Sequence, residues 1–345
     1  MTDVEVLVVG AGVMGAATAR ALARRGREVL LLERFEVGHD RGSSHGASRV
    51  FRLSYDDPTY VRMAQEALPL WRELEDESGR SVLRTTGGVD VGSGAIANAP
   101  ALEECGASYE RMDGRAASER FPTFSFPPDV PALFQADAGI VRAESAIRAF
   151  VDSATAHGAE LREETRVVGL APNDEDVTVE TEAEAFRGRA VVVTAGAWAK
   201  ELLATSGIDL PVVPTRETVA YFALDEPWPP VLVQWEAPPY YALADPGQGI
   251  KAAQHHAGPV TDPDAEGEVS EHAVARLSGW VKERFPGADP EPQSAETCLY
   301  TNTDDERFIL ERHGPIVVGS ACSGHAFKFA PVIGERLADL ASRAR

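Results

Sequence analysis

Six residues near the amino end have the spacing of a phosphate cradle. Gly10-Ala11-Gly12-Val13-Met14-Gly15 reads G-x-G-x-x-G. In such a loop the first glycine permits a tight turn and the second lets the backbone approach a pyrophosphate. The third lets a helix pack closely on a strand. The N–H groups that open the helix, around Val13 and Met14, then face the anion. Glu33 follows about 20 residues on, where this motif places an acid against a ribose, and Arg34 adjoins it. A carboxylate there accepts ribose hydrogen bonds and repels a 2′-phosphate, which disfavours NADP. The motif alone leaves FAD and NAD open.

Further along, cations and one thiol could do chemistry. The chain has only four lysines: Lys200, Lys251, Lys282 and Lys328. Lys328 lies between Phe327 and Phe329, ahead of Ala330 and Pro331. A lysine kept for solubility has no place in that apolar setting. The cysteines are Cys105, Cys298 and Cys322. An odd, sparse set without metal-ligand spacing argues against a disulfide framework. Each reads most simply as a small buried hydrophobe.

A cradle works only if a strand feeds it and a helix leaves it. Val6 to Val9 is an apolar run that stops at Gly10, a buried parallel strand. Val13 to Arg25 carries good helix formers. Glu28 to Glu33 is a second strand, which completes a βαβ unit. Helices are expected over Pro58–Glu77, Glu144–His157, Gly196–Ser206, His272–Phe285 and Pro331–Arg345. Strands are expected over 81–91 (with a bend at Gly87-Gly88), 160–162, 177–180, 190–193, 299–301 and 316–319. A hairpin turn is expected at Pro172-Asn173-Asp174. From Val212 to Lys251, short Val-, Tyr-, Phe- and Trp-rich runs split by prolines predict a mainly antiparallel sheet. Pro259 to Glu268 reads as a solvated loop. The fold class is α/β (α+β overall), a Rossmann-like dinucleotide domain interleaved with an antiparallel substrate sheet. Residues 1–80, 140–209 and 303–345 form the first domain, and 81–139 and 210–302 the second.

Four separated stretches decide more. They are Gly42-Ser43-Ser44-His45-Gly46-Ala47-Ser48-Arg49-Val50-Phe51-Arg52, Thr194-Ala195-Gly196-Ala197-Trp198, Cys298-Leu299-Tyr300-Thr301 and Ser323-Gly324-His325-Ala326-Phe327-Lys328-Phe329. In this order they resemble the monomeric sarcosine oxidase family, which includes N-methyltryptophan oxidase. The resemblance spans nearly the whole chain. It implies FAD, and an enzyme that oxidises the C–N bond of a secondary amino acid to an imine and reduces oxygen to hydrogen peroxide. It implies a covalent thioether from Cys298 to the flavin, and a carboxylate clamp of Arg52 and Lys328. It places Lys251 at oxygen reduction and Arg49, His45, Ser43 and Gly324 beside the flavin. His255 and His325 would face the pocket, with Tyr241 and Tyr300 as its walls. His256 adjoins His255, and the spacing from Lys251 is uncertain by one residue. The chain departs from the family in three places. The 241–251 segment is one residue short, Cys322 replaces a larger side chain, and the proline-rich run around Trp228 and Trp235 has no clear match. A dehydrogenase passing electrons to a carrier, and a flavoprotein subunit without catalysis, stay open as alternatives.

The net charge is −21, from 54 acidic and 33 basic residues. That disfavours nucleic acid and anionic membrane as partners, since both need a basic footprint. Dense acid with little lysine also suits a salt-rich cytosol. No signal peptide or membrane span is apparent. A soluble, cytoplasmic monomer acting on a small amino acid and oxygen is the expectation.

Overall fold

The computed structural model describes residues 2–343. Strand β1 (Thr2–Val9) ends at Gly10, helix α1 spans Val13–Arg24, and β2 spans Val29–Leu32. Val6 to Val9 and all of β2 are buried. Both faces are covered, so the strands show no alternation. β1 pairs in parallel with β2 on one side and with Ala185–Val193 on the other. The Ala185–Val193 strand changes partner along its length. Its first half pairs antiparallel with Val177–Thr181, and its last three residues pair in parallel with Ile316–Ser320. The Val167–Pro172 strand forms the expected hairpin with Val177–Thr181.

Three helices cover one face of this sheet: α1, Ala143–Ala156 and Ala330–Ser342. A Cβ on Gly334 would sit 2.7 Å from the carbonyl carbon of Ala17, so the closing helix lies almost backbone to backbone on α1. The expected end of that helix at Arg345 lies outside the described residues.

A second sheet of eight strands runs in the order 288–302, 213–224, 249–254, 240–245, 231–234, 88–91, 131–135 and 110–113. Every pairing is antiparallel except that of Val231–Gln234 with Gly88–Val91. A small third sheet joins Ser48–Phe51, Gly139–Arg142 and Leu83–Thr85. The architecture is α/β. No helix among the described residues is long and apolar enough to cross a membrane.

Several expected elements change. The single strand over 81–91 is two strands in different sheets, Leu83–Thr85 and Gly88–Val91. The break falls at Gly87, whose φ of +76° turns the chain from one sheet to the other. The Gly196–Ser206 helix is a 3₁₀ turn, Gly196–Trp198, followed by Ala199–Ala204. The short strand at 299–301 is the end of Ala288–Asn302, whose first half alternates too weakly to be seen in sequence. The Pro259–Glu268 loop is exposed for most of its length but is tied down. Val260 bridges Thr215, and Asp264 accepts hydrogen bonds from Arg34 and Trp198, both at 2.8 Å.

Candidate active site

The glycine loop is built as its spacing requires. Gly10 has φ +95°, and a Cβ there would meet the Thr194 carbonyl oxygen at 2.7 Å. A Cβ on Gly15 would lie 1.8 Å from the Gly10 carbonyl oxygen. Gly12 caps α1 without a side chain, and a Cβ there would approach Ser44 Oγ at 3.3 Å. The Val13 N–H donates to Ser44 Oγ at 3.2 Å. Glu33 is buried and its carboxylate accepts from Ala11 N at 2.7 Å and Phe35 N at 2.9 Å. Two oxygens carry about four acceptor positions, so capacity remains for a ribose. Arg34 is spent on Asp264 and lies against Phe35 and Trp198. It lines the cleft as a wall.

The Gly42–Arg52 segment ties the two sheets together. Arg49 donates to the carbonyls of Ser43 (2.9 Å), His45 (2.5 Å) and Ser48 (2.8 Å). Its hydrogen bonds all go to carbonyls, and it forms no direct carboxylate ion pair among the described residues. His45 Nδ1 donates to the Gly42 carbonyl at 2.7 Å, which leaves Nε2 as an acceptor. Burial, with Arg49 beside it, keeps this histidine below its ordinary pKa and hence neutral. Ser48 Oγ donates to Asp245 of the second sheet at 2.7 Å.

The second sheet supplies Lys251, Tyr241, Cys298 and Tyr300. Cys298 and Tyr300 are two apart on one strand and therefore share a face. Cys298 Sγ is buried, 3.9 Å from the Ser43 carbonyl and 3.8 Å from that of Leu299. Lys251 is 3% exposed and lies 5.8 Å from the Tyr221 ring centre. Burial, and then Arg49, bring its pKa down to about 8. A Cβ placed on Gly46 would lie 3.6 Å from both Lys251 Nζ and Arg49 Nη1, and 3.5 Å from Glu296 Oε1. The two cations thus flank one spot, with the Glu296 carboxylate beside them. Tyr241 is pushed up to about 12 by burial, and Tyr300 is also pushed up by burial.

Arg52 and Lys328 come together from opposite ends of the chain. Lys328 sits in a 3₁₀ turn, Phe327–Phe329, that Trp71 Nε1 pins by donating to the Lys328 carbonyl at 2.8 Å. Lys328 is 4% exposed, and its Nζ donates to Tyr55 Oη at 2.8 Å and to the His325 carbonyl at 2.5 Å. The Arg52 guanidinium lies 4.1 Å from the Tyr55 ring centre and 4.8 Å from that of Trp235. Its Nη1 is buried without a hydrogen-bond partner. Neither cation forms a carboxylate ion pair among the described residues, although Asp90 is buried near Arg52. Burial, with Arg52 beside it, drives the Lys328 pKa well below that of a free lysine. An anion arriving here would complete the set.

His255 faces the same cavity, with Nδ1 3.4 Å from Tyr300 Oη, while His256 packs edge-on against His255 and Tyr300. Burial, then the His256 ring, pull His255 well below the ordinary histidine value. His325 contacts Tyr55 Oη through Nδ1 at 3.4 Å and the Glu306 carbonyl through Nε2 at 3.0 Å. Burial, then Lys328, bring its pKa to about 3. Gly324, at φ +72°, is packed so closely on Tyr300 that a Cβ would lie 2.2 Å from that ring. One cleft runs from Glu33 past Gly10, Gly12, Val13 and Met14 to Ser43, Arg49, Lys251 and Cys298. It ends at Arg52, His255, His325 and Lys328.

The chain thus offers an anion cradle and ribose acceptor at one end, and a cation-rich chamber at the other. An extended dinucleotide with its reactive ring beside Lys251 and Cys298 fits that shape. Sequence reasoning missed Tyr55 and noted Trp235 only within an unmatched run, yet both rings lie against Arg52; it also missed Ser44, which meets the helix N-terminus. Tyr55 left one faint signal, its position three residues after Arg52.

A family model described as FAD dependent oxidoreductase matches residues 5–340. The chain is 35% identical to the monomeric sarcosine oxidase of Streptomyces avermitilis, over 98% of this chain and 93% of that one. It is 33% identical to human peroxisomal sarcosine oxidase, over 98% and 92%. Among solved structures it is similar to NikD, described as an unusual amino acid oxidase essential for nikkomycin biosynthesis. The TM-score is 0.89 at 30% identity, covering 99% of this chain and 94% of that one.

Proposed function

The chain belongs to the FAD-dependent oxidoreductase family, and we propose that it is an oxidase of N-methyl or cyclic secondary amino acids. Its relatives are named sarcosine oxidases, and its solved neighbour at 30% identity is named an amino acid oxidase. The observation that carries the reading is the pair Arg52 and Lys328, two cations without a carboxylate ion pair among the described residues, at the end of the flavin cleft. Bound FAD supplies a two-electron acceptor that molecular oxygen can reoxidise. On this reading residues 1–80, 140–209 and 303–345 hold that cofactor, and 81–139 and 210–302 cover it.

The chain's own residues do the rest. Arg52 and Lys328 hold the substrate carboxylate by charge-assisted hydrogen bonds and fix the carbon next to nitrogen. Tyr55 orients both cations, one through its hydroxyl and one through its ring. His255, His325, Tyr241 and Tyr300 wall the chamber and exclude water. His255 and His325 stay neutral and add no charge that would repel an amine. Lys251 and Arg49 hold positive charge where oxygen takes up electrons, which stabilises superoxide. Cys298 is the point of covalent attachment to the flavin. The protein acts as a monomer in the cytoplasm.

The test is a peroxide-coupled assay over a panel of secondary amino acids. Peroxide should form with N-methyl or cyclic substrates and fall away when the carboxylate is replaced by an amide. Turnover with an artificial electron carrier and none with oxygen would make the protein a dehydrogenase. No turnover with either would make it a binding subunit.

A further inference from the structure

At the wall of the cleft, one cluster of side chains reaches past that chemistry. His255, His256 and Glu306 each offer one ligand atom, and the three atoms lie within 4.8 Å of one another. His256 Nε2 is 3.6 Å from Glu306 Oε1, and the His255 and His256 rings meet edge on with centres 4.0 Å apart. We infer that these three residues form a binding site for a divalent transition metal such as Zn²⁺, at the rim of the substrate cavity.

Three features separate this cluster from a chance ion pair. The first is ligand type. Two imidazoles and a carboxylate are what Zn²⁺ takes, and three protein ligands leave a fourth position for water. The second is fit. Tetrahedral ligands at ~2.0–2.2 Å stand about 3.3–3.6 Å apart, so His256 and Glu306 already have the needed separation. The Glu306 side chain is 55% exposed and the His256 side chain 29%, which leaves both room to adjust to an ion. The third is how both turns are held. Buried Glu217 accepts from Ala257 N at 2.8 Å and Gly258 N at 2.7 Å, fixing the turn after His256. His325 Nε2 donates to the Glu306 carbonyl, and Thr303 Oγ1 donates to the Arg307 carbonyl at 2.9 Å, fixing the facing turn. His256 and Glu306 both take left-handed backbone, at φ +54° and +59°. Non-glycine residues hold that conformation only when surroundings impose it.

His255 lines the substrate cavity and His256 lies outside it. A metal held between them stands beside the cavity wall that His255 forms. Arg52 and Lys328 line the same cavity and oppose a cation, while the Glu306 carboxylate, 3.6 Å from His256, favours it. A site on the Glu306 side binds metal and obstructs an amino acid on its way in.

Binding is measured by calorimetry on the flavin-loaded full chain, stripped with a chelator and titrated with Zn²⁺. Wild type should show one saturable site with a micromolar dissociation constant. His256→Ala and Glu306→Gln should each weaken it at least 30-fold while leaving the flavin spectrum unchanged. Equal affinity in the variants, or no saturable site in wild type below millimolar Zn²⁺, overturns the assignment. In turnover, Zn²⁺ should raise the KM for the amino acid without lowering kcat, and His256→Ala should remove the effect. A fall in kcat at unchanged KM would put the metal elsewhere. The proposal uses the oxidase reading only for the turnover arm. If no substrate is turned over, the binding arm still decides it.

Discussion

Replacing Lys328 by methionine should separate substrate binding from folding. The lysine is buried, and among the described residues its hydrogen-bond partners are Tyr55 Oη and the His325 carbonyl. In the complex its ammonium gives the substrate carboxylate one charge-assisted hydrogen bond in a dry site. Such bonds contribute ~1.5–3 kcal/mol. Loss of 2–3 kcal/mol is about a 30- to 150-fold drop in kcat/KM. Folding has two opposed terms. Methionine removes a cation whose burial is unfavourable, as the strongly lowered pKa of Lys328 shows. It also strips the His325 carbonyl of a donor, at ~1–3 kcal/mol. The two terms oppose each other, so the thermal midpoint should stay within about 3 °C of wild type. The linkage has a definite sign. The folded pKa lies below the unfolded one, so the unfolded chain binds more protons between them and wild-type stability rises with pH in that window. The methionine variant should lose that rise. Steady-state kinetics on the best secondary amino acid and melting curves from pH 7 to 10 check both halves. A drop in kcat/KM smaller than threefold would refute the clamp. A large loss of stability alongside lost activity would mean Lys328 is structural.

Lys251→Met should slow reoxidation of reduced flavin by oxygen about 100-fold, near the ~3 kcal/mol of a single preorganised electrostatic contact. Anaerobic reduction by substrate should change less than threefold, and stopped-flow absorbance separates the two. Because Lys251 titrates at about 8, it is charged below that value, and wild-type reoxidation should decline as pH rises through 8. A profile flat from pH 6 to 10 would contradict the role. For Cys298→Ser, acid-denatured protein should lose its yellow colour while wild type keeps it; colourless wild type would end the covalent reading without touching the fold. Gly15→Ala puts a Cβ 1.8 Å from the Gly10 carbonyl oxygen, so flavin content should fall to a tenth or less. Gly279→Ala, where a Cβ meets nothing within 4 Å inside helix Glu271–Arg284, should leave flavin content unchanged and raise stability by about 0.5–1 kcal/mol. Equal flavin in both alanine variants would show that the close approach at Gly15 is not limiting.

The parts of the chain that were legible carry a local period. β1, α1 and β2 were readable because both faces of a parallel strand are buried and a helix follows at once. The Ala288–Asn302 strand was readable only at its end, because its first half is too exposed to alternate. The break at Gly87 was seen as a bend, but which sheet each half joins depends on partners more than 40 residues away. The chamber divides along the same line. Lys328 stood out by its apolar setting, while Arg52, Lys251 and Cys298 were singled out only by the family resemblance. Tyr55 and Trp235 did not stand out, because an aromatic residue in a core looks the same whether or not a guanidinium lies on it. What no single residue could disclose is a missing partner. In a chain with 54 acids and 33 bases, cations find carboxylates easily, and most arginines on this surface do. Arg52 and Lys328 meet rings, a hydroxyl and a carbonyl instead. Leaving them so costs folding energy, and an anionic substrate recovers it on binding. That exchange, more than the presence of either cation, is what the carboxylate assay measures.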